Sequence, residues 1–117
     1  MSLTAKEVQE KIEEYTEGGE YEGYGNFYEY IKDEGIDWRT KKPIEIQVPG
    51  LPTIKFEDDF GGEGEGDDYW VVFSVGNQYF RVNGYYASYH GGELDGSVEE
   101  VKPVKVERIE YEEIKND

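Results

Sequence analysis

The ionisable side chains of this chain are overwhelmingly carboxylates, which support acid–base catalysis when a suitable partner stands beside them. Of its 117 residues, 28 are Asp or Glu, His90 is the one histidine and cysteine is absent. His90 lies next to glycines, without a serine or lysine nucleophile motif. Two carboxylates among so many always fall within reach of each other, so no glycosidase-type pair stands out. We therefore expect no catalytic residues, and the missing cysteines exclude disulfides and thiolate metal sites.

A glycine-rich acidic stretch over residues 58–68 raises two further possibilities. Gly62, Gly64 and Gly66 resemble the spacing of a phosphate-binding loop, but such loops precede a helix and avoid carboxylates, whereas a strand pattern follows here. The stretch is rich in the hard oxygen ligands that calcium prefers, yet it lacks the EF-hand pattern. We expect no dedicated metal site and no cofactor, and adventitious calcium binding stays open.

The acidic residues are clustered along the chain. Residues 1–35 carry ten acids and three bases, residues 57–68 seven acids and no base, and residues 93–117 nine acids and four bases. Residues 36–56 and 69–92 are slightly basic, and the formal net charge is -16. Clustered like charge destabilises a compact protein, so three such blocks suggest a role beyond solubility.

The charge excludes some partners and favours others. A strongly acidic protein is repelled by nucleic acid and by anionic membranes. Carboxylates three and four residues apart on a helix lie about 5–6 Å from each other, close enough to imitate a row of phosphates. We therefore predict binding to a basic, nucleic-acid-binding surface of another protein. The candidate partner-binding residues are Glu10, Glu13, Glu14, Glu17, Asp58, Asp59, Glu63, Glu65, Asp67, Asp68, Glu107, Glu110, Glu112 and Glu113.

A tyrosine-rich stretch supports an alternative. Tyr85 and Tyr89 share one face of a predicted strand, and tyrosine is enriched among the residues that dominate protein interfaces. In this alternative the protein is an adaptor that binds a partner through a Tyr-rich sheet face, and the acid serves solubility alone. Packing of these tyrosines in the core is the simplest competing explanation.

Two helices are predicted in residues 1–35. Thr4 and Glu7 form a capping-box pattern at the start of a helix over residues 3–17, which Gly18 and Gly19 end. Asn26 is typical of an N-cap, and a second short helix follows until Gly35.

Residues 44–114 show strand patterns. Alternating segments at 44–48 and 53–56 predict a hairpin, and an acidic loop over 57–68 follows. Turns at Gly76-Asn77 and Asn83-Gly84 predict a three-strand meander between residues 69 and 89, and residues 90–96 read as a loop. Strand patterns continue from Val98 to 111, with a bulge near Glu107-Arg108. We predict a single α+β domain, with two N-terminal helices packed on a twisted antiparallel sheet of about five or six strands.

The C-terminal third resembles a group of small bacteriophage-encoded proteins of unknown function. The resemblance covers residues 79–114 and is carried by FRVNGYYASYHGGELDG at 80–96 and VEEVKPV at 98–104. It implies a phage or prophage origin and a role in host takeover or counter-defence, so that the partner is a host or phage protein. No apolar run reaches the length of a membrane span and the N-terminus is not a signal peptide, so we expect a location in the bacterial cytoplasm. The oligomeric state stays open.

Overall fold

The chain forms two helices followed by a six-stranded antiparallel sheet, so the fold is α+β, as predicted. The computed structural model describes residues 2–62, 64, 66–87, 91–94 and 97–114. The elements are α1 (Ala5–Thr16), α2 (Phe27–Glu34), β1 (Glu45–Ile46), β2 (Ile54–Phe60), β3 (Asp68–Val75), β4 (Gln78–Ala87), β5 (Gly91–Glu93) and β6 (Val98–Val101).

Both helices begin where their capping residues predict. The Thr4 hydroxyl accepts the Glu7 N–H at 3.1 Å, and the Glu7 carboxylate accepts the Thr4 N–H at 3.2 Å, which completes the capping box of α1. The Asn26 side chain accepts the Glu29 N–H at 2.9 Å at the start of α2. The glycine that ends α2, Gly35, keeps a helical φ of -53°. A side chain there would collide with the buried ring of Phe56, so packing requires this glycine.

The hairpin between β3 and β4 is confirmed, whereas the second predicted turn is wrong. Gly76 has a φ of +62° between the paired residues Val75 and Gln78, as a two-residue turn requires. At Asn83-Gly84 the chain does not turn, because β4 continues to Ala87 and Gly84 stays paired with Tyr69 of β3. A Cβ on Gly84 would meet the Glu93 carbonyl oxygen, so the glycine admits a close crossing of the backbone after β5.

The long strand β4 pairs with two short strands along one edge. Its second half pairs with β5, through Tyr85–Glu93 and Ala87–Gly91, inside the stretch predicted as a loop. Its first half pairs with β6, through Tyr79–Val101 and Val82–Val98. At the other edge β1 pairs with β2, which confirms the predicted hairpin.

Three predictions about the strand region are wrong. The acidic loop is shorter than residues 57–68, because β2 runs to Phe60, whose ring stacks on Trp70, and β3 begins at Asp68. The bulge lies between Phe56 and Asp58 and not near residues 107–108. Residues 102–114, expected to extend the sheet, form no strand and are exposed throughout. Their strand-like alternation has no neighbouring strand to pair with in the described part of the chain.

The core lies between the helices and one face of the sheet. Phe73 and Phe80 are fully buried on this inner face, and Ile12 of α1 and Ile31 of α2 cover them. Burying one such side chain contributes about 1.5–3 kcal/mol. Few large side chains therefore stabilise the sheet, and the outward sides of both helices are left for charged residues. The buried apolar residues of the inner face are Ile54, Phe56, Val71, Phe73, Val75, Phe80, Val82 and Val98.

Candidate functional site

The outward side of the helices carries a continuous series of carboxylates, which we call the acidic helical layer. It comprises α1, α2 and the connection between them, and each of its carboxylates is exposed except that of Glu29, which is half-buried. Its members are Glu7, Glu10, Glu13, Glu14, Glu17, Glu20, Glu22, Glu29, Asp33 and Glu34.

The three lysines of the same segment do little to neutralise this surface. Lys32 is turned inwards, with a side chain 7% exposed, and its Nζ lies 3.0 Å from Asp59 Oδ2 and 4.5 Å from the Tyr69 ring centroid. Lys6 is exposed and pairs with Glu10 at 3.9 Å. Lys11 is half-buried and lies against the turn at residues 49–50. Most carboxylates of the layer are thus left without a cation within 4 Å, in the part of the chain that the structure describes.

Tyrosines in tilted and edge-to-face contact hold the connection between the helices in place. The Tyr21 ring lies 5.0 Å from that of Tyr30 and 6.1 Å from that of Tyr15, and Tyr24 lies 5.6 Å from Tyr30. Burial raises the pKa of Tyr21 to about 12. These contacts hold Glu20 and Glu22, on the connection, between the carboxylates of the two helices.

Tyr24 also joins two carboxylates of α2. Its hydroxyl lies 2.6 Å from Asp33 Oδ2 and 2.6 Å from Glu34 Oε1. Hydrogen bonding to Asp33, and to a lesser extent to Glu34, raises the pKa of Tyr24, because the neutral phenol is the form that donates. The proton of this one hydroxyl offsets part of the repulsion between the two acids.

The opposite face of the sheet, the outer sheet face, carries aromatic side chains. Phe60 and Trp70 stack with ring centroids 5.9 Å apart, and Phe60 is 38% exposed. Tyr85 is 51% exposed and is paired with Asp68 of β3. An aromatic patch with a neighbouring carboxylate suits contact with another protein.

The single arginine of the outer sheet face, Arg81, forms an ion pair with Glu99. Arg81 Nη2 lies 2.6 Å from Glu99 Oε1, and this hydrogen bond lowers the pKa of Glu99, helped by a second one from Asn83. The surface therefore offers no unoccupied guanidinium for an anionic ligand at this position.

The predicted carboxylates do not form one surface. Glu10, Glu13 and Glu14 lie on α1, as predicted, whereas Glu17 follows the helix as its C-cap residue, in the left-handed conformation. Asp58 and Asp68 lie on the outer sheet face, Asp59 lies on the inner side beside Lys32, and Asp67 is exposed before β3. The remaining acids, in the tail of residues 102–114, are exposed: Glu107, Glu110, Glu112 and Glu113. Glu63, Glu65 and Tyr89 lie outside the described residues.

Several surface residues were missed by the sequence-based prediction. Glu29, Asp33 and Glu34 complete the acidic helical layer, and Phe60 and Trp70 form the outer aromatic patch. The charge count of residues 1–35 already contained the first group. The stacking of Phe60 on Trp70 could not be predicted from the sequence, because it depends on the register between β2 and β3.

The described residues offer neither a cluster of metal ligands nor a helix that could span a membrane. These residues contain no group of three or more His, Asp or Glu side chains able to hold a metal ion. His90 lies outside them, as does part of the glycine-rich stretch considered for calcium. Neither helix has the length and apolar character needed to cross a bilayer.

No protein-family model matches the chain, and no curated protein or solved structure is significantly similar to it. The assignment of a function therefore rests on this chain's own residues.

Proposed function

We propose that the protein is a non-enzymatic inhibitor that covers a basic, nucleic-acid-binding surface of another protein with its acidic helical layer. The observation that carries the proposal is the composition of this layer. Residues 5–34 carry nine exposed carboxylates and the half-buried Glu29, and one of the three lysines among them has a buried side chain. The stability of the fold does not explain such a surface, because like charges at these spacings destabilise a helix.

The carboxylates of the layer lie close enough together to meet several cations of a phosphate-binding surface at once. Neighbouring acids on a helix are about 5–6 Å apart, and duplex DNA carries one charge per roughly 1.7 Å of its axis over both strands. Lysines and arginines that bind phosphates along a groove can therefore pair with Glu10, Glu14 and Glu17 instead. Because these side chains are exposed, the binding depends steeply on ionic strength.

The specific form of the proposal follows from the resemblance of residues 79–114 to phage-encoded proteins. A phage inhibitor of a restriction or CRISPR nuclease would act in the cytoplasm of the bacterial host and would have to displace nucleic acid from a basic channel. A strongly acidic protein suits that task.

A second candidate function is favoured by the outer sheet face. Phe60, Trp70 and Tyr85 place aromatic area on a rigid sheet, and aromatic anchors of this kind dominate the energetics of many interfaces. In this version the protein is a phage structural or host-regulator adaptor, and its acid provides solubility.

The test compares two variants with the same change in net charge. E10K/E14K/E17K reverses the α1 row, and E110K/E112K/E113K reverses three carboxylates of the tail. Each tagged protein is used to capture partners from a bacterial lysate at 0.05 M and 0.5 M salt, with a duplex oligonucleotide as the eluting competitor. We expect the parent and the tail variant to retain one nucleic-acid-binding protein at low salt, to release it to the duplex and to lose it at high salt.

The α1 variant should retain at least about tenfold less of that partner, because the Debye length of about 14 Å at this low salt leaves the reversed charges unscreened. Equal capture by the α1 variant contradicts the proposal. Loss of a salt-insensitive partner in W70A or Y85A, with no effect of E10K/E14K/E17K, identifies the adaptor function instead.

A further inference from the structure

A short basic loop stands out on this acidic molecule. The loop, residues 36–42, contains Arg39, Lys41 and Lys42 against one acid, so that it carries a formal charge of about +2 in a chain of -16. Trp38 at its tip is 72% exposed, and the Arg39 guanidinium lies 5.0 Å from the Trp38 ring centroid. An exposed indole beside cations recognises an acidic peptide that also carries apolar side chains.

The basic loop has a defined backbone conformation. Asp37 Oδ1 accepts the N–H groups of Arg39 at 2.7 Å and Thr40 at 3.2 Å. The Lys41 N–H bonds the Asp37 carbonyl at 2.8 Å, and the Asp37 N–H bonds the Lys42 carbonyl at 2.9 Å. The loop therefore presents its indole and its cations without a large entropic cost of ordering.

The end of the tail has the complementary composition, after three bases, Lys102, Lys105 and Arg108, in its first half. Residues 109–114 read Ile-Glu-Tyr-Glu-Glu-Ile, with three carboxylates and no base. Ile109, Tyr111 and Ile114 are 83%, 93% and 81% exposed, although residues of these types are normally covered. Residues 109–114 do not cover the basic loop of their own chain, because their apolar side chains and Trp38 are all exposed.

The dimensions of the molecule agree with a projecting tail. The radius of gyration is 16.9 Å, whereas a compact domain of this length has roughly 13 Å. The longest principal axis measures 66 Å and the shortest 29 Å. An extended segment of this kind is available to a second molecule.

We propose that the protein forms a dimer in which each copy places the end of its tail, residues 109–114, on the basic loop of the other. Tyr111 packs against Trp38, and the carboxylates of residues 110, 112 and 113 pair with the cations of residues 39, 41 and 42. The occupant is a second copy because one chain carries both halves of a contact that combines opposite charge with exposed apolar area. Two reciprocal contacts close the assembly, as a two-fold symmetric dimer requires.

The size of this contact sets its strength. Each copy contributes residues 109–114 of the tail and the seven residues of the basic loop, fewer than the roughly 20–30 residues a side of stable interfaces. Exposed ion pairs supply part of the attraction, so the dimer dissociates on dilution and at high salt. This inference does not depend on the proposed function, because the surfaces involved do not include the acidic helical layer.

Sedimentation equilibrium of the full chain at 0.05 M and 0.5 M salt tests the dimer. At low salt we expect a concentration-dependent rise from the 13.5 kDa of one chain to twice that mass. Reversing the tail in E110K/E112K/E113K, or the loop in R39E/K41E/K42E, should raise the dimer dissociation constant at least about tenfold. E10K/E14K/E17K, which alters the net charge as much as the tail variant does, should dimerise as the parent does.

Mixing the two reversed variants provides the decisive measurement. A lysine tail then meets a glutamate loop, and the unaltered acidic tail meets the unaltered basic loop, so an equimolar mixture should regain the dimer. Three results each overturn the proposal. The first is a single-chain mass at every concentration, which would also result if each tail folded onto its own loop. The second is dimerisation of either reversed variant to the same extent as the parent. The third is an equimolar mixture that stays monomeric.

Discussion

Replacing Tyr28 by Phe should stabilise the protein, which is unusual for a change in a core. The Tyr28 side chain packs in the core with its ring centroid 6.0 Å from those of Phe27 and Phe73. Its hydroxyl oxygen is buried and has no hydrogen-bond partner among the residues that the structure describes. Burial also raises the pKa of Tyr28, because ionisation would place a phenolate charge where water has little access.

The expected magnitude follows from this missing partner. A buried polar group without a hydrogen bond costs about 1–3 kcal/mol, whereas the unfolded chain hydrates the same hydroxyl. Phenylalanine keeps the ring and its contacts and removes the oxygen. Y28F should therefore raise the free energy of unfolding by about 1 kcal/mol, which corresponds to about 4 °C in Tm for a domain of this size.

Urea unfolding and thermal melts of the parent, Y28F and Y24F provide the measurement and its control. The Tyr24 hydroxyl lies within hydrogen-bonding distance of two carboxylates, so Y24F should lose a little stability. A fall of 1 kcal/mol or more in Y28F would show that the hydroxyl has a partner, such as a bound water, and would refute the reasoning.

Three further predictions concern the sheet and the titration of tyrosines. F80D should abolish folding, because it puts an unpaired charge at a fully buried position; a cooperative melt near that of the parent would place this side chain outside the core. G84A should lower the stability by about 1–3 kcal/mol, since the added methyl group meets the Glu93 carbonyl; an unchanged urea midpoint would exclude the close crossing. The pKa values of Tyr21 and Tyr69 are raised by burial in the folded state, so the stability that they contribute is complete below about pH 10. It is lost as the pH rises towards about 12, the pKa of Tyr21; absorbance at 295 nm should show these tyrosines ionising late, and ionisation of all tyrosines together near pH 10 in the folded protein would contradict this.

The position of the charge has a structural cause. The inner face of the sheet is filled by large apolar side chains such as Phe73 and Phe80, so each helix needs only a narrow apolar stripe to stay attached. Val8 and Ile12 are the buried residues of α1. The remaining positions of that helix are free to carry acid, and the stability lost to like-charge repulsion, a few tenths of a kcal/mol per pair, is small against the burial of the core.

Features that depend on neighbouring residues in the sequence were predictable. The caps at Thr4 and Asn26 formed as expected, because a side chain bonds a backbone N–H three residues later without help from the rest of the fold. The turn at Gly76-Asn77 formed for the same reason, since a positive φ at its first residue is a local requirement. The α+β class followed from these elements and their order.

The tertiary structure decided what each ambiguous segment does. Gly84 has the same local pattern as a turn residue, but it pairs with Tyr69 of β3 and the backbone of Glu93 packs closely against it, so β4 continues without a turn. Residues 102–114 have the alternation of a strand, yet a strand forms only where another offers its hydrogen bonds, and none does so among the described residues. The inward turn of Lys32 towards Asp59 likewise joins groups 27 residues apart. The net charge of the surface could thus be counted from the sequence, whereas its division into an acidic helical layer, an aromatic sheet face and a projecting tail required long-range packing.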